Sequence, residues 1–415
     1  MGNEIFVYAD WKGLDGPALV GTLYPNTLKG REVFSFEYDT QWLEHRKNSL
    51  FDPDLQFYGG RQYTQDEKTL FGVFSDSCPD RWGRLLMKRR EAIRAKDEGR
   101  RPKVLAESDY LLGIQDESRM GALRFKQDPE GPFLASESGQ TVPVWADLRS
   151  LEQAAVSFDA NEKEDDDRQW VRMLVQPGSS LGGARPKATV RDAEGNLWIA
   201  KFPSKKDEVN TGAWEMTAHE LASRCGLSVP VARCERFSPL GSTFMTKRFD
   251  RTTDRKRIHF VSAMTALGRT DGIHSEEGVS YLDLASVLRQ YGSRPSEDLR
   301  ELWKRIVFNI MISNTDDHLR NHGFLFDSKG LRLSPLYDVN PDPDGRALSL
   351  NIDENDNSLD FELAISVAPY FDITKDVATT IVREMKSAVL PWSAAAQRYG
   401  ISKAETGMME HCFRI

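Results

Sequence analysis

The segment Ile312-Ser313-Asn314-Thr315-Asp316-Asp317-His318-Leu319-Arg320-Asn321 places Asp316 and Asn321 five residues apart. A carboxylate that takes a hydroxyl proton, followed at that interval by an amide oxygen that binds a divalent cation, is an arrangement used for phosphoryl transfer from ATP. A second carboxylate, Asp338, follows in Ser334-Pro335-Leu336-Tyr337-Asp338-Val339. It suits a hard oxygen ligand for Mg2+. Arg320 could neutralise charge at the acceptor site. Two other readings stay open. Asp316, Asp317, His318 and His322 could gather zinc if the two histidines, four apart, shared a helix. Alternatively, Asn314 to His318 is only the polar last turn of a helix.

Phosphates also require backbone donors and cations. In Ser179-Ser180-Leu181-Gly182-Gly183-Ala184-Arg185-Pro186-Lys187, Gly182 and Gly183 let N–H groups approach an oxyanion without a Cβ in the way. Arg185 and Lys187 add positive charge. The loop is neither a Walker A sequence nor a dinucleotide fingerprint. Lys201 stands among apolar residues in Ile199-Ala200-Lys201-Phe202-Pro203, the setting from which a kinase lysine reaches phosphates. Glu215, early in the next helical stretch, is its candidate ion-pair partner, ahead of Glu220.

The elements that must position these residues read as follows. Ile5 to Trp11, Ala18 to Leu23 and Val33 to Tyr38 are strand candidates of one antiparallel sheet. A helix is expected from Pro79 to about Lys96, capped by Asp76 or Ser77. Gly121 to Phe125 is a further strand. A Gly-rich loop, a strand at 188–190, a turn and a strand at 197–202 form a hairpin signature. Trp214 to Cys225 reads as a helix stopped by Gly226, and Phe244 to Asp250 as a strand. From Tyr281 the pattern is helical, most clearly over Leu299 to Ser313 with Leu302, Ile306, Ile310 and Ser313 on one stripe. Gly323 to Phe326 and Leu331 to Leu333 form a second hairpin. The acidic, apolar-free run Asn161 to Arg168 is expected at the surface near a domain boundary.

The composition sets limits. The chain has 415 residues, and 55 Lys and Arg against 63 Asp and Glu leave a net charge of −8. That length predicts two or three domains. The acidity argues against a chain that binds nucleic acid over its whole surface. Four scattered cysteines, Cys78, Cys225, Cys234 and Cys412, make no disulfide scaffold or zinc ribbon. No apolar run approaches the roughly 20 residues that cross a bilayer, and Met1 to Phe6 has no signal-peptide character. A cytoplasmic protein with no membrane partner is the expectation.

The motifs in combination resemble the HipA family of serine/threonine kinases. They are Ser180 to Lys187, Ile199 to Pro203, Lys247-Arg248-Phe249-Asp250-Arg251, Asn314 to Asn321 and Leu336-Tyr337-Asp338-Val339. Pro79-Asp80-Arg81-Trp82-Gly83-Arg84 is similar to part of the extra N-terminal subdomain of full-length members. The resemblance implies an α+β, bilobal protein-kinase-like fold. Its parts would be a β-rich N-terminal subdomain over 1–130, a nucleotide-binding lobe over 131–255 and a helical catalytic lobe over 256–415. It implies a toxin kinase of a toxin–antitoxin pair that uses ATP and Mg2+. The expected partners are a HipB-like helix-turn-helix antitoxin, DNA only through that antitoxin, and a protein substrate such as an aminoacyl-tRNA synthetase. Asp316 would be the catalytic base, and Asn321 and Asp338 the Mg2+ ligands. Gly182, Gly183, Ala184, Arg185, Lys187, Lys201, Lys247, Arg248, Phe249, His318, Asn321, Tyr337 and Asp338 would surround ATP. Ser180, or Ser179 beside it, would be the site of inhibitory autophosphorylation. Lys247 stands where some members carry an acidic residue, and Asp317 where some carry a small one. A corepressor with little catalysis and a small-molecule kinase remain the alternatives.

Overall fold

The structure is a computed structural model that describes residues 4–45, 50–65, 68–134, 142–160, 168–175 and 183–415. The fold is α+β, and the chain divides into two compact units. Met1–Lys205 with Asp250–Val261 form the first, and Lys206–Phe249 with Ser262–Ile415 the second.

The first unit is built on an antiparallel sheet. Its strands are β1 (Ile5–Ala9), β2 (Ala18–Leu28), β3 (Arg31–Tyr38), β4 (Gln62–Tyr63) and β5 (Leu123–Lys126), in the order β4-β3-β2-β1-β5. Period-two alternation decides which face is inside: Ile5, Val7 and Ala9 are fully buried, while Phe6 and Tyr8 are not. Lys29 and Gly30, both with positive φ, make the two-residue turn that joins β2 to β3. Phe36 and Phe125 both pack on Phe74, with ring centroids at 5.2 and 6.2 Å. The helices of this unit are α1 (Thr40–His45), α2 (Gly72–Ser75), α3 (Arg81–Asp97), α4 (Glu107–Leu112), α5 (Leu148–Ala160) and α6 (Arg168–Val175). The antiparallel hairpin of β6 (Lys187–Arg191) and β7 (Leu197–Lys201) completes it.

Two expectations change here. Helix α3 is capped not by Asp76 or Ser77 but by Asp80, whose Oδ1 accepts from the Gly83 N–H at 2.8 Å. The division into two compact units also does not fall near residue 130. Lys187 pairs with Asp80 at 2.9 Å, Arg191 N–H reaches Pro143 O at 2.8 Å, and Gly121 N–H reaches Asp250 Oδ2 at 2.8 Å. Buried polar contacts of this kind join sequence-distant segments into one unit.

The second unit begins with α7 (Thr211–Arg224) and the antiparallel pair β8 (Ala232–Ser238) and β9 (Gly241–Lys247). Strand β8 carries no buried residue, so its sequence shows no apolar alternation and was not expected. Strand β10 (Phe260–Ser262) begins in the first unit and ends at the first residue of this segment of the second, and α8 (Ala263–Ala266), α9 (Tyr281–Tyr291) and α10 (Pro295–Ile312) follow. The hairpin β11 (Gly323–Asp327) and β12 (Gly330–Leu333) follows, then α11 (Phe361–Val367), α12 (Lys375–Val389), α13 (Trp392–Arg398) and α14 (Lys403–Met408). Helix α10 is central: Leu299, Leu302, Trp303, Ile306 and Ile310 are fully buried, as their spacing predicts. Val307, Phe308 and Met311 are buried too, so the helix is covered on all sides from Arg305 to Ile312. No helix among the described residues is long and apolar enough to cross a membrane.

Helix α7 sits close to β9. A Cβ added at Gly212 would lie 2.0 Å from Ser242 O, a backbone atom. The variant Gly212→Ala is expected to destabilise the protein by about 1–3 kcal/mol through forced separation of helix and strand. Thermal unfolding measures this, and an unchanged midpoint would contradict the packing.

Candidate active site

The site grows from the end of α10. Ser313 closes the helix in the left-handed region (φ 51°, ψ 45°), which turns the chain sharply out of the helix axis. Its hydroxyl donates to Cys412 O at 2.8 Å. The chain then runs from Asn314 to His318 without helical structure, makes a single 3-10 turn over Leu319–Asn321 and enters β11. His318 and His322 therefore share no helix face.

The neighbours Asp316 and Asp317 have opposite fates. Asp317 is 1% exposed and surrounded by partners. Tyr281 Oη and Asn309 Nδ2 donate to its Oδ2, and His322 Nε2 lies 2.9 Å from Oδ1. Burial pushes this carboxyl up, but His322 and Tyr281 outweigh burial and hold it below the ordinary value. The same burial, with Asp317 beside it, raises the Tyr281 phenol. Asp316 instead presents 83% of its side-chain surface to solvent. Its pKa is raised, first because the surrounding protein thins the water around it. Asp338, Asp317 and Asp342 raise it further, while His318, 3.8 Å away, works the other way.

Asn321 links the loop to itself. Its Nδ2 donates to Asp316 O at 2.7 Å, and its Oδ1 is buried with no hydrogen-bond partner. A buried amide oxygen without a donor is costly unless something fills the position. With Asp338 close enough to raise Asp316, the donor set is an amide and carboxylate oxygens, the chemistry Mg2+ selects. These residues fit that ion. Among the described residues no group of three or more His, Cys, Asp or Glu side chains is placed to hold a metal ion, and His318 and His322 do not share the helix that a zinc pair would need.

A second loop is tied to the first. Asp338 adopts a left-handed backbone (φ 58°), unusual for a residue with a Cβ. Tyr337 Oη donates to Arg320 O at 2.7 Å, and its ring lies 5.4 Å from that of Phe249. Thr315 Oγ1 donates to Asp342 Oδ2 at 2.6 Å, and Asn340 N–H to Asn314 Oδ1 at 3.3 Å. Arg320 pairs with Asp271 at 3.2 Å.

The structure thus brings Asp316, His318, Asn321, Tyr337, Asp338 and Phe249 together in the second unit. Lys247 ends β9, and Arg248 after it is buried. Glu215 is buried on α7. In the first unit Lys201 is buried at the end of β7, Gly183 and Ala184 are exposed, and Arg185 is half-buried. Lys187 does not face solvent: its ammonium is buried against Asp80. Ser179, Ser180 and Gly182 lie outside the described residues, as does most of the acidic run 161–168. Sequence reasoning missed Tyr281, Asn309 and Asp342. Asn309 carried a signal, because an amide inside the apolar run Ile306 to Ile312 must find a buried partner.

An acid, an amide and a second acid thus lie on loops around a hairpin at the end of a buried helix. Residues 179–392, more than half of the chain, match the family model described as HipA-like C-terminal domain. The chain belongs to this family. A chain in the solved complex of HipA, HipB and operator DNA from the Shewanella oneidensis MR-1 toxin–antitoxin system shares the fold. The match has TM-score 0.67 and 17% identity, and covers 98% of this chain and 94% of that one. Two curated relatives bear the name "Putative kinase". Y4mE of Sinorhizobium fredii is 31% identical over 148 residues, covering 34% of this chain and 33% of that protein. A Haemophilus influenzae protein is 27% identical over 196 residues, covering 42% of this chain and 57% of that protein. The chain therefore spans a third to just over half of those relatives.

Replacing Asp317 with Ala leaves Tyr281, Asn309 and His322 without their shared partner. The expected loss is about 3–5 kcal/mol. The lowered pKa gives stability that is present above the ordinary aspartate value and lost as pH falls through the folded-state value. Denaturant titrations across acid pH should show a shallower acid limb for Asp317→Ala than for wild type.

Proposed function

We propose that this protein is an ATP- and Mg2+-dependent serine/threonine protein kinase that acts in the cytoplasm as the toxin of a toxin–antitoxin pair. The observation that carries the reading is the buried, partnerless Asn321 Oδ1 beside the exposed Asp316 and the acidic Asp338. Asp316 accepts the proton of the acceptor hydroxyl, and its raised pKa makes it a better base than an ordinary carboxylate. Asn321 and Asp338 hold Mg2+, which when bound offsets phosphate charge. The 2.7 Å bond from Asn321 to Asp316 O holds base and metal ligand in fixed relation. Lys201, with Glu215 in support, is assigned to the phosphates, together with Gly182, Gly183, Ala184 and Arg185. Lys247 to Phe249, His318 and Tyr337 are assigned to the nucleotide. Membership of the HipA-like family supports the assignments. The fold shared with a HipA from a HipB–operator complex supports a HipB-like antitoxin as partner, with DNA engaged through it. The substrate is a protein such as an aminoacyl-tRNA synthetase, and Ser180 or Ser179 is the site of self-inhibition.

Transfer of labelled phosphate from ATP to protein, with phosphoamino-acid analysis, tests the reading. Asp316→Asn should reduce transfer by at least about a hundredfold, the scale of a lost general base. The same variant should unfold at a higher temperature than wild type at neutral pH. A carboxyl with a raised folded-state pKa costs stability once pH exceeds that value, and the amide removes the charge. Undiminished transfer in Asp316→Asn would refute the assignment.

A further inference from the structure

Lys187 looks like a phosphate ligand in the sequence, yet its side chain is 1% exposed and that of its partner Asp80 is fully buried. Lys187 Nζ donates to Asp80 Oδ2 at 2.9 Å and to Gly183 O at 2.8 Å. Asp80 Oδ1 meanwhile caps α3 by accepting from Gly83 N–H at 2.8 Å. Two residues further, Trp82 Nε1 donates to Lys187 O at 3.1 Å. The first turn of α3 therefore grips both the side chain and the backbone of Lys187. Through the ammonium it also fixes the carbonyl of Gly183, four residues back. These residues come from Pro79-Asp80-Arg81-Trp82-Gly83-Arg84, a motif with no part in the chemistry assigned above.

The charge balance points the same way. Lys187 and Lys201 are cross-strand partners on the β6–β7 hairpin. Like charges directly opposite each other are unfavourable on a sheet. Asp80 neutralises Lys187, which relieves the repulsion between the two cations of that register pair. A buried ion pair is retained at a desolvation cost, so its service here is geometric.

We propose that Asp80 and Lys187 are positioning residues that set the phosphate-binding loop at Gly183, so that the N-terminal β-rich subdomain is part of the nucleotide machinery. The role in ATP binding rests on the kinase reading above, whereas the clamp itself does not. Two measurements on the full chain separate them. Hydrogen exchange of the amides of Gly183, Ala184, Arg185 and Lys187 reads the clamp with no nucleotide present. Steady-state KM for ATP, against kcat, reads its consequence. Asp80→Asn keeps a side-chain oxygen for the cap and removes the charge. It should speed exchange at these amides and raise KM about tenfold with kcat changed less than about twofold. Lys187→Met should do the same, and the double variant should be no worse than either single one, because both remove one interaction. Should Asp80→Asn fail to fold, Trp82→Phe removes only the indole bond to Lys187 O and should speed the same exchange. Unchanged exchange overturns the clamp. Faster exchange with unchanged KM overturns its role toward ATP. A wild-type protein that binds no ATP defeats the kinase reading, and with it that role, while the exchange arm still decides the clamp.

Discussion

A carboxylate taken out of water must be given partners, and Asp317 is taken out of water completely. Its partners come from three places: Tyr281 at the start of α9, Asn309 inside α10 and His322 at the entry to β11. Each lies on a rigid element, so the loop carrying Asp317 has one place to sit. With Asp317 turned inward, the adjacent Asp316 stands in solvent. The orientation of the proposed base is thus a consequence of the anchoring of its neighbour.

The same network extends to the second loop. Asn309 Oδ1 accepts from Asn314 Nδ2 at 3.0 Å, and Asn314 Oδ1 accepts from Asn340 N–H. Thr315 reaches Asp342 directly, and Ser349 Oγ donates to Thr315 O at 2.7 Å. A Cβ added at Gly345 would lie 2.1 Å from Thr315 Oγ1, so a glycine is what lets the returning chain pass. Buried networks of this kind rigidify a site, and one lost member leaves several groups unpaired. The pair Lys187–Asp80 does the corresponding work in the first unit. In both cases a buried charge specifies position at a cost in desolvation.

Much of this was legible in the sequence, for identifiable reasons. Strands β1 to β3 alternate with period two, and α10 shows a helical stripe, because each buries one consistent face. The interval between Asp316 and Asn321 is local, so spacing alone exposes it. What spacing conceals is partnership over distance. Asp80 and Lys187 are 107 residues apart, and Tyr281 and Asp317 are 36 apart. A lysine after a Gly-Gly loop reads as a phosphate ligand until the buried carboxylate beside it is seen. Likewise α3 offered Asp76, Ser77 and Asp80 as caps, and only the fold shows which carboxylate meets an N–H. Strand β8 escaped because a strand with no fully buried residue has no apolar pattern to display.

Two non-glycine residues in the left-handed region bracket the site, Ser313 before the base and Asp338 at the proposed metal ligand. Such conformations cost about 1–3 kcal/mol each and persist only where the surroundings hold them. Here the surroundings do. Ser313 is fixed by the 2.8 Å bond to Cys412 O, and its own carbonyl accepts from Asp342 N–H at 3.0 Å. Asp338 follows Tyr337, which is fastened to Arg320 O. Backbone strain and the mutual repulsion of Asp316, Asp338 and Asp342 are both unfavourable to the fold alone. Stability elsewhere in the second unit, above all in the buried C-terminal half of α10, offsets them. Three carboxylates and a partnerless amide oxygen held together against strain lower the stability of the fold, and that cost is the physical ground for the cation site proposed above.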